Sequence, residues 1–502
     1  MWTRSGNSIK SFPGGASVKL LSEMRRKQVD INFARRASQK LGRLCLVGFL
    51  AIAGGAPAIA QKTDSLSHQQ VENLVRRSYQ YVAMFNVIQK EIVTKGLNKS
   101  FANAELLDHT MKGIARPNND TLYQMVTLDL RNEPVVVEYP SIDSTFVALE
   151  TSGYAHYCDM PLLSAKGDFK KPVKVLFYTD RTKGYRGEKI KGVDRIIKAD
   201  GDFYYAFLRA MPHQSDPKRM ARVAKALQDV KVLPLSQFRG KPARSSHAPK
   251  FPAHGKTDAD VFASNLLEVM QFVFNHTTFD PNNEMDQAVL AAYAPLGVAP
   301  GQTFDPSRVA KLDGTRFRRI AEEVAEKALA SMTDKAVQKR ITPKMFMPKG
   351  ETDLETLVVV SVTGPIGVPA YVARYLPSSA KGGQPMNAKN DYVLKMSKAQ
   401  LPPAEAFWSL TLYDLKNGFF IPNDQKKYSV GENAGYKLNK DGGIEIHVSE
   451  KKPEGVPEEN WLPISRADVD LDPMFRIYEP DAKKMEAWTV PQFEMLKASS
   501  AN

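Results

Sequence analysis

Cysteine is nearly absent from this chain: Cys45 and Cys158 are the only two in 502 residues. A disulfide framework is therefore excluded, and so is any metal site built from paired cysteines. No His-Glu-x-x-His, no Gly-x-Ser-x-Gly and no phosphate-cradling glycine loop occurs, which leaves the commonest hydrolase and nucleotide-binding classes without a signature. No apolar run reaches the roughly 20 residues that a membrane-spanning helix needs. A basic cluster is missing too. The formal net charge is +14, but residues 1–60 hold ten Lys/Arg against two Asp/Glu, leaving a net of +6 spread thinly over the rest. Nucleic acid is not an expected partner on this charge pattern.

What is present is an ordinary globular composition, 43% hydrophobic and 25% charged, in a chain long enough for two or three domains. Residues 1–60 read as an export signal: a long basic region, an apolar core over 44–53, and a closing Ala58-Ile59-Ala60 before Gln61. Met24, followed by Arg25-Arg26-Lys27, is an alternative start. The expected product is a periplasmic or secreted protein beginning near Gln61, without a membrane span after cleavage. Cys158 is then its one cysteine and reads as a small buried hydrophobe.

Hydrophobic periods divide the remainder. Val71, Leu74, Val75, Val82, Phe85, Ile88 and Ile92 recur at helical steps. From Leu122 the period becomes two, with strand-like runs over 122–128, 134–139, 145–149 and 173–178. Asp216-Pro217 opens a helix, residues 241–256 resemble a linker, and Thr257 with Asp260 caps another helix. Helical patterns follow near 285–293 and 317–332. From about Val358 the pattern reads as strands again, with hairpin turns at Asn417-Gly418 and Asp441-Gly442. The expected fold is mainly β with helical parts: an N-terminal β-sandwich over 61–240, a linker and helical subdomain over 241–357, and a C-terminal jelly-roll sandwich over 358–502.

Candidate chemistry concentrates in two stretches. In Arg116-Pro117-Asn118-Asn119-Asp120-Thr121-Leu122-Tyr123, Pro117 holds Arg116 extended and the Asn and Asp side chains bond nearby amides. Arg116 and Asp120 then project to bind a polar or anionic group, with Asn118 and Tyr123 beside them. The structural alternative is that the turn only builds a strand entry. In Phe407-Trp408-Ser409-Leu410-Thr411-Leu412-Tyr413-Asp414, Trp408 and the leucines take one face and Phe407, Ser409, Thr411 and Tyr413 the other. Trp408 reads as core before ligand platform, while Tyr413 and Asp414 end the strand where it meets a cleft. Asn460 and Trp461 offer a further amide and indole, and Arg209 a further cation. His156-Tyr157-Cys158-Asp159 has metal-ligand residue types, but on a strand Asp159 faces away from the other two ligands, so no metal is expected. Ser378-x-x-Lys381 lacks the companion motifs of a Ser-Lys nucleophile.

Those two stretches, with Glu133-Pro134-Val135-Val136, Phe207-Leu208-Arg209, Gly418-Phe419-Phe420, Tyr428-Ser429-Val430-Gly431 and Asn460-Trp461-Leu462-Pro463, resemble the bacterial families called domain of unknown function 1254 and domain of unknown function 1214. The resemblance covers most of the chain after the signal and implies the three-part architecture above. It implies no catalytic role. The end departs from the pattern: relatives finish on Arg-Leu-Tyr-Trp-Pro, where this chain has Arg476-Ile477-Tyr478-Glu479-Pro480 and a tail to Asn502.

Two functional readings follow. One is an exported, metal-independent hydrolase needing no cofactor, with Arg116, Asp120, Arg209, Tyr413, Asp414 and Asn460 lining a cleft between the β-domains. The other is a non-catalytic module for a small organic ligand, a glycan or a protein. The oligomeric state is left open.

Overall fold

The computed structural model describes residues 66–112, 114–244, 247 and 249–496; the expected export signal and the start at Gln61 lie outside them. Helix takes 31% and strand 24%, in a mixed fold whose strands lie toward both ends and whose helices lie mostly between. The described residues all fall in one compact unit.

The first strands are β1 (Phe101–Ala102), β2 (Leu122–Asp129), β3 (Val135–Tyr139), β4 (Val147–Ser152), β5 (Cys158–Leu163), β6 (Val173–Tyr178), β7 (Arg195–Lys198), β8 (Phe203–Ala210) and β9 (Lys231–Pro234). They make two sheets, ordered β1-β2-β8-β4-β5 and β7-β6-β3-β9. Val126, Leu149 and Leu208 of the first sheet share a core with Val137, Val175 and Phe177 of the second, and Val223 and Leu227 of the helix Pro217–Gln228 close it. That helix starts as expected, with the Asp216 side chain accepting from two amides and Pro217 in the first turn.

β2 is buried along its whole length, because helices cover its other face. Tyr123, Met125, Phe203 and Tyr205 point into a core shared with Tyr81 and Phe85 of the helix His68–Lys95 and with Phe262, Phe272 and Phe317 of later helices. The expected capping box at Thr257 forms, and its helix breaks at Asn265 into Asp258–Ser264 and Leu266–His276. One expectation fails here: Leu354–Thr363 is a helix and not the first C-terminal strand. A continuous apolar run such as Leu357-Val358-Val359-Val360 reads alike for a buried strand and a buried helix. The Asp353 side chain, which accepts from the Thr356 amide, starts the helix.

The second strand set is β10 (Ala373–Pro377), β11 (Met386–Asn387), β12 (Asp391–Met396), β13 (Ala404–Asp414), β14 (Ser429–Gly431), β15 (Ile444–Ser449), β16 (Trp461–Pro463), β17 (Asp470–Pro480) and β18 (Glu494–Leu496). One sheet runs β10-β17-β13-β14 with β11 also on β17; the other runs β16-β15-β12-β18. Trp408, Leu410 and Phe475 meet Leu394, Ile444 and Ile446 between them. The tail beyond Pro480 is structural: it supplies β18, the edge partner of β12. Turns form at Asn417-Gly418 and Asp441-Gly442, but in each only the glycine has positive φ, so neither is the two-residue type. The alternate face of β13, with Phe407, Ser409, Thr411 and Tyr413, is fully buried. It faces the turn that leads into β2, and this contact positions the candidate site.

Candidate functional site

Arg116 is not extended. Its φ is +51°, held by its amide, which donates to the Gly418 carbonyl at 2.7 Å, and by its carbonyl, which accepts from Arg476 Nη2 at 3.0 Å. The side chain lies at the surface, with Nε 2.7 Å from Asp472 Oδ2. The Asx-type turn does form: Asn118 Oδ1 accepts from the Asp120 amide at 2.7 Å. Asn118 Nδ2 donates to the Tyr478 hydroxyl at 3.0 Å, so the same side chain tethers the turn to β17.

Asp120 does not project; it is fully buried. Its Oδ2 accepts from Ser409 Oγ at 2.6 Å and from the Tyr478 hydroxyl at 3.1 Å. Burial pushes its carboxyl above the ordinary range, opposed by the Arg476 charge and by those two hydrogen bonds. Arg476 is itself 3% exposed and donates Nη1 to Thr411 Oγ1 at 2.9 Å. Its guanidinium stands 5.3 Å from the Tyr413 ring and 5.7 Å from the Tyr375 ring. Tyr413 donates to the Pro117 carbonyl at 2.7 Å.

On the neighbouring sheet, Arg209 pairs with Tyr123 across β8 and β2. Its Nη2 binds Glu150 Oε2 at 2.5 Å, with both side chains buried. Burial pushes Glu150 up to about 7, although Arg209 and the Gly367 amide pull the other way. The Tyr123 hydroxyl feels Arg209, Tyr375 and Arg476 together, so the two ion-pair systems meet at Tyr123 and Tyr375. Tyr375 is 40% exposed and gives this otherwise closed junction an outer wall. Three atoms of buried charged side chains here have no hydrogen-bond partner, Asp120 Oδ1, Arg209 Nε and Arg476 Nε, and neither has the hydroxyl of Thr121 in the same turn. An unpaired buried polar atom is costly, so each is an unmet hydrogen-bonding capacity.

The junction brings together Arg116, Asn118, Asp120, Tyr123, Arg209 and Tyr413. Four other candidates are used elsewhere. Asp414 accepts from the Asn417 and Phe419 amides and shapes its own turn. Trp408, on the opposite face of β13, stacks on Tyr436 at 5.2 Å. Asn460 bonds the backbone of Lys437 and Glu445, and Trp461 Nε1 donates to the Ser449 carbonyl at 3.1 Å. His156 and Asp159 diverge: His156 bonds Ser361 and the Pro365 carbonyl, and Asp159 is exposed. Ser378 donates to the Pro491 carbonyl, and Lys381 pairs with Glu494.

Sequence reasoning missed Glu150, Tyr375, Arg476 and Tyr478. Arg476 and Tyr478 alternate on β17 as Ser409 and Thr411 do on β13, and that period-two polar pattern was the available signal. A shallow groove of about 410 Å³, lined by Pro140, Ala221, Arg222 and Lys225 among others, shares no residue with the junction. Its cations are already paired, Arg222 with Asp143 and Lys225 with Asp229.

Comparison with known proteins adds the family. The VPA0106 protein from Vibrio parahaemolyticus, a solved structure, aligns with 85% of this chain and 100% of its own at 22% identity and a TM-score of 0.63, which shows a shared fold. An uncharacterized protein from Burkholderia cenocepacia aligns with 86% of this chain and 93% of its own, at 12% identity and a TM-score of 0.38, too loose to carry an argument. No curated protein matches. Two family models do, DUF1254 over 98–234 and DUF1214 over 373–482, each described as a protein of unknown function. The first contains Arg116 to Tyr123, Glu150 and Arg209; the second contains Tyr375, Ser409, Tyr413, Arg476 and Tyr478. The junction is therefore assembled from both, and the chain belongs to the proteins of unknown function that carry a DUF1254 and a DUF1214 domain together.

Proposed function

We propose that the protein binds a small organic molecule bearing a carboxylate at the junction between the β2/β8 sheet and the β13/β17 sheet. The observation that carries this reading is the trio of unpartnered buried atoms, Arg209 Nε, Arg476 Nε and Asp120 Oδ1. Two guanidinium N–H groups suit the oxygens of a carboxylate, and Asp120 suits a hydroxyl or amine on the same molecule. Tyr123 and Tyr375 supply aromatic walls. The glycan and protein alternatives lack such a match of charge. The export pattern read in residues 1–60 supports binding outside the cytoplasm, and among the described residues no helix is long and apolar enough to cross a membrane.

A second, hydrolytic reading rests on Glu150, whose carboxyl at about 7 can take and return a proton near neutral pH. It has less support. Ser409 Oγ, the junction's buried serine hydroxyl, donates to Asp120 and has no bonded histidine or lysine to serve as its base.

Calorimetric titration and thermal melts with benzoate and succinate test the binding reading. Saturable binding with a raised melting temperature is expected. Tyr375→Ala, at a half-exposed wall, should keep the melting temperature within a few degrees and weaken affinity by about tenfold, roughly 1.4 kcal/mol. If neither carboxylate binds the wild type, the reading is wrong. Release of product from nitrophenyl esters, abolished in Glu150→Gln, would replace it with the hydrolytic one.

A further inference from the structure

A second cluster of buried polar groups lies between the helical layer and the β4/β5 end of the first sheet, on residues the junction does not use. Its centre is Lys349. Nζ donates to Asp286 Oδ2 at 2.6 Å and to the Thr278 carbonyl at 3.4 Å, and stands 5.0 Å from the Tyr157 ring. Asp286 is completely buried, and its Oδ2 also accepts from the Asp280 amide at 2.8 Å. Asp200 is placed by its carbonyl, which accepts from the Thr278 amide at 2.6 Å. Its carboxylate lies so close to Gly153 that a Cβ there would meet Asp200 Oδ1 at 2.3 Å.

Charge and hydrogen bonding are both left incomplete by Lys349. Lys349 forms its ion pair with Asp286 alone, while Asp200 feels the charges of Lys349, Asp159 and Asp286 without an ion pair of its own. Asp200 Oδ1 and Asp286 Oδ1 are acceptors with no donor. The Tyr157 hydroxyl, in a residue only 3% exposed, makes no close hydrogen bond and is in weaker hydrogen-bonding reach of Asp286 and Gln80. It lies beside Asp286 and Asp200, which together with burial hold its proton on. A carboxylate accepts and an ammonium only donates, so a small cation with several N–H groups suits the two unpaired oxygens.

We propose that this cluster binds a small organic ammonium ion, held by Asp200 and Asp286 with Tyr157 beside it. A metal ion fits less well. Among the described residues no three His, Cys, Asp or Glu side chains converge at ligating distance. The partly exposed Lys349 and Asp159 mark the way in.

The test uses the whole protein at pH 8 and equal ionic strength, with methylammonium, tetramethylammonium and sodium chlorides, and calcium chloride as a further arm. Methylammonium should raise the melting temperature saturably, and tetramethylammonium, which has the charge but no N–H, should not. Asp200→Asn should weaken methylammonium binding about tenfold or more while benzoate binding at the junction is unchanged. Tyr157→Phe, which keeps the ring over Lys349, should weaken it several-fold and serves if the first variant does not fold. Equal effects from methylammonium and tetramethylammonium, an effect from calcium or sodium alone, or full methylammonium affinity in both variants would each overturn the proposal.

Discussion

Arg116 and Asp120 belong to one turn, yet their surroundings assign them opposite energetic roles. The Arg116 side chain is 43% exposed in its pair with Asp472, so solvent screens the interaction, and Arg116→Ala should cost less than about 1 kcal/mol. Asp120 is buried beside Arg476. Asp120→Ala would leave that guanidinium without a counter-charge and two hydroxyls without an acceptor, at a cost of about 3 kcal/mol or more. Urea unfolding of the two variants measures both, and similar midpoints would contradict this account. His156 is a second informative residue. The Pro365 carbonyl can only accept, so Nε2 carries the proton and Nδ1 accepts from Ser361. Burial lowers its pKa to about 4. The folded protein therefore binds the proton less readily than the unfolded chain, and stability present above pH 6.5 is lost as pH falls toward 4. The full loss is roughly 3 kcal/mol. Glu150 has the opposite sign: raised to about 7, it favours the fold fully below pH 4.5 and loses that contribution as pH rises through 7. Melting curves from pH 4 to 8 should show an acid-side slope flattened in His156→Gln and an alkaline-side slope flattened in Glu150→Gln.

At the scale of elements, the close approach of β14 to β13 depends on Gly431. A Cβ there would stand 2.3 Å from the Trp408 carbonyl oxygen and 2.9 Å from Ser409 Cα, both backbone atoms that cannot move without breaking the ladder. Gly431→Ala should cost at least about 2 kcal/mol and loosen the pairing that buries Ser409. Amide exchange in β13 and β14 is the readout, and unchanged protection would sink the claim. The turn after β13 behaves differently. Asp414 accepts from two amides there, so Asp414→Ala should cost only about 1–2 kcal/mol. The helix Leu354–Thr363 shows how packing overrides propensity: its valines favour strands in isolation, but a cap at Asp353 and burial of Thr356 to Ser361 in contact with the helices His68–Lys95 and Gly314–Ser331 make it helical.

Across the whole molecule, stability rests on burial and not on covalent cross-links. Cys158 is 1% exposed, with its thiol pushed up by burial, so it is neither reactive nor available for a bridge while the protein is folded. Thermal melts with and without dithiothreitol should overlay; a difference of many degrees would reveal an intermolecular disulfide. The two strand sets do not stand apart with an open cleft between them. The polar face of β13 and β17 is pressed onto the turn before β2, and aromatic contacts such as Phe146 with Tyr478 at 4.9 Å seal it. Tyr375, 40% exposed, is the residue of the junction that reaches solvent beside Arg476.

The sequence by itself determined the broad order of strand-rich and helical regions, apart from the helix Leu354–Thr363, the starts of the helices at Asp216 and Thr257, and that Trp408 and Leu410 of β13 are core. These follow from local chemistry: capping side chains, proline, and the periods of apolar residues. It also pointed to the turn from Arg116 to Tyr123, whose Asx bond is local. Only the tertiary structure decided that Asp120 is buried and Arg116 exposed, that Asn460, Trp461 and Asp414 serve their own loops, and that Glu150, Tyr375, Arg476 and Tyr478 complete the junction. Those roles depend on contacts between residues as far apart as Asp120 and Tyr478. Periodicity reports which face of an element turns inward, but not which distant element it will meet there.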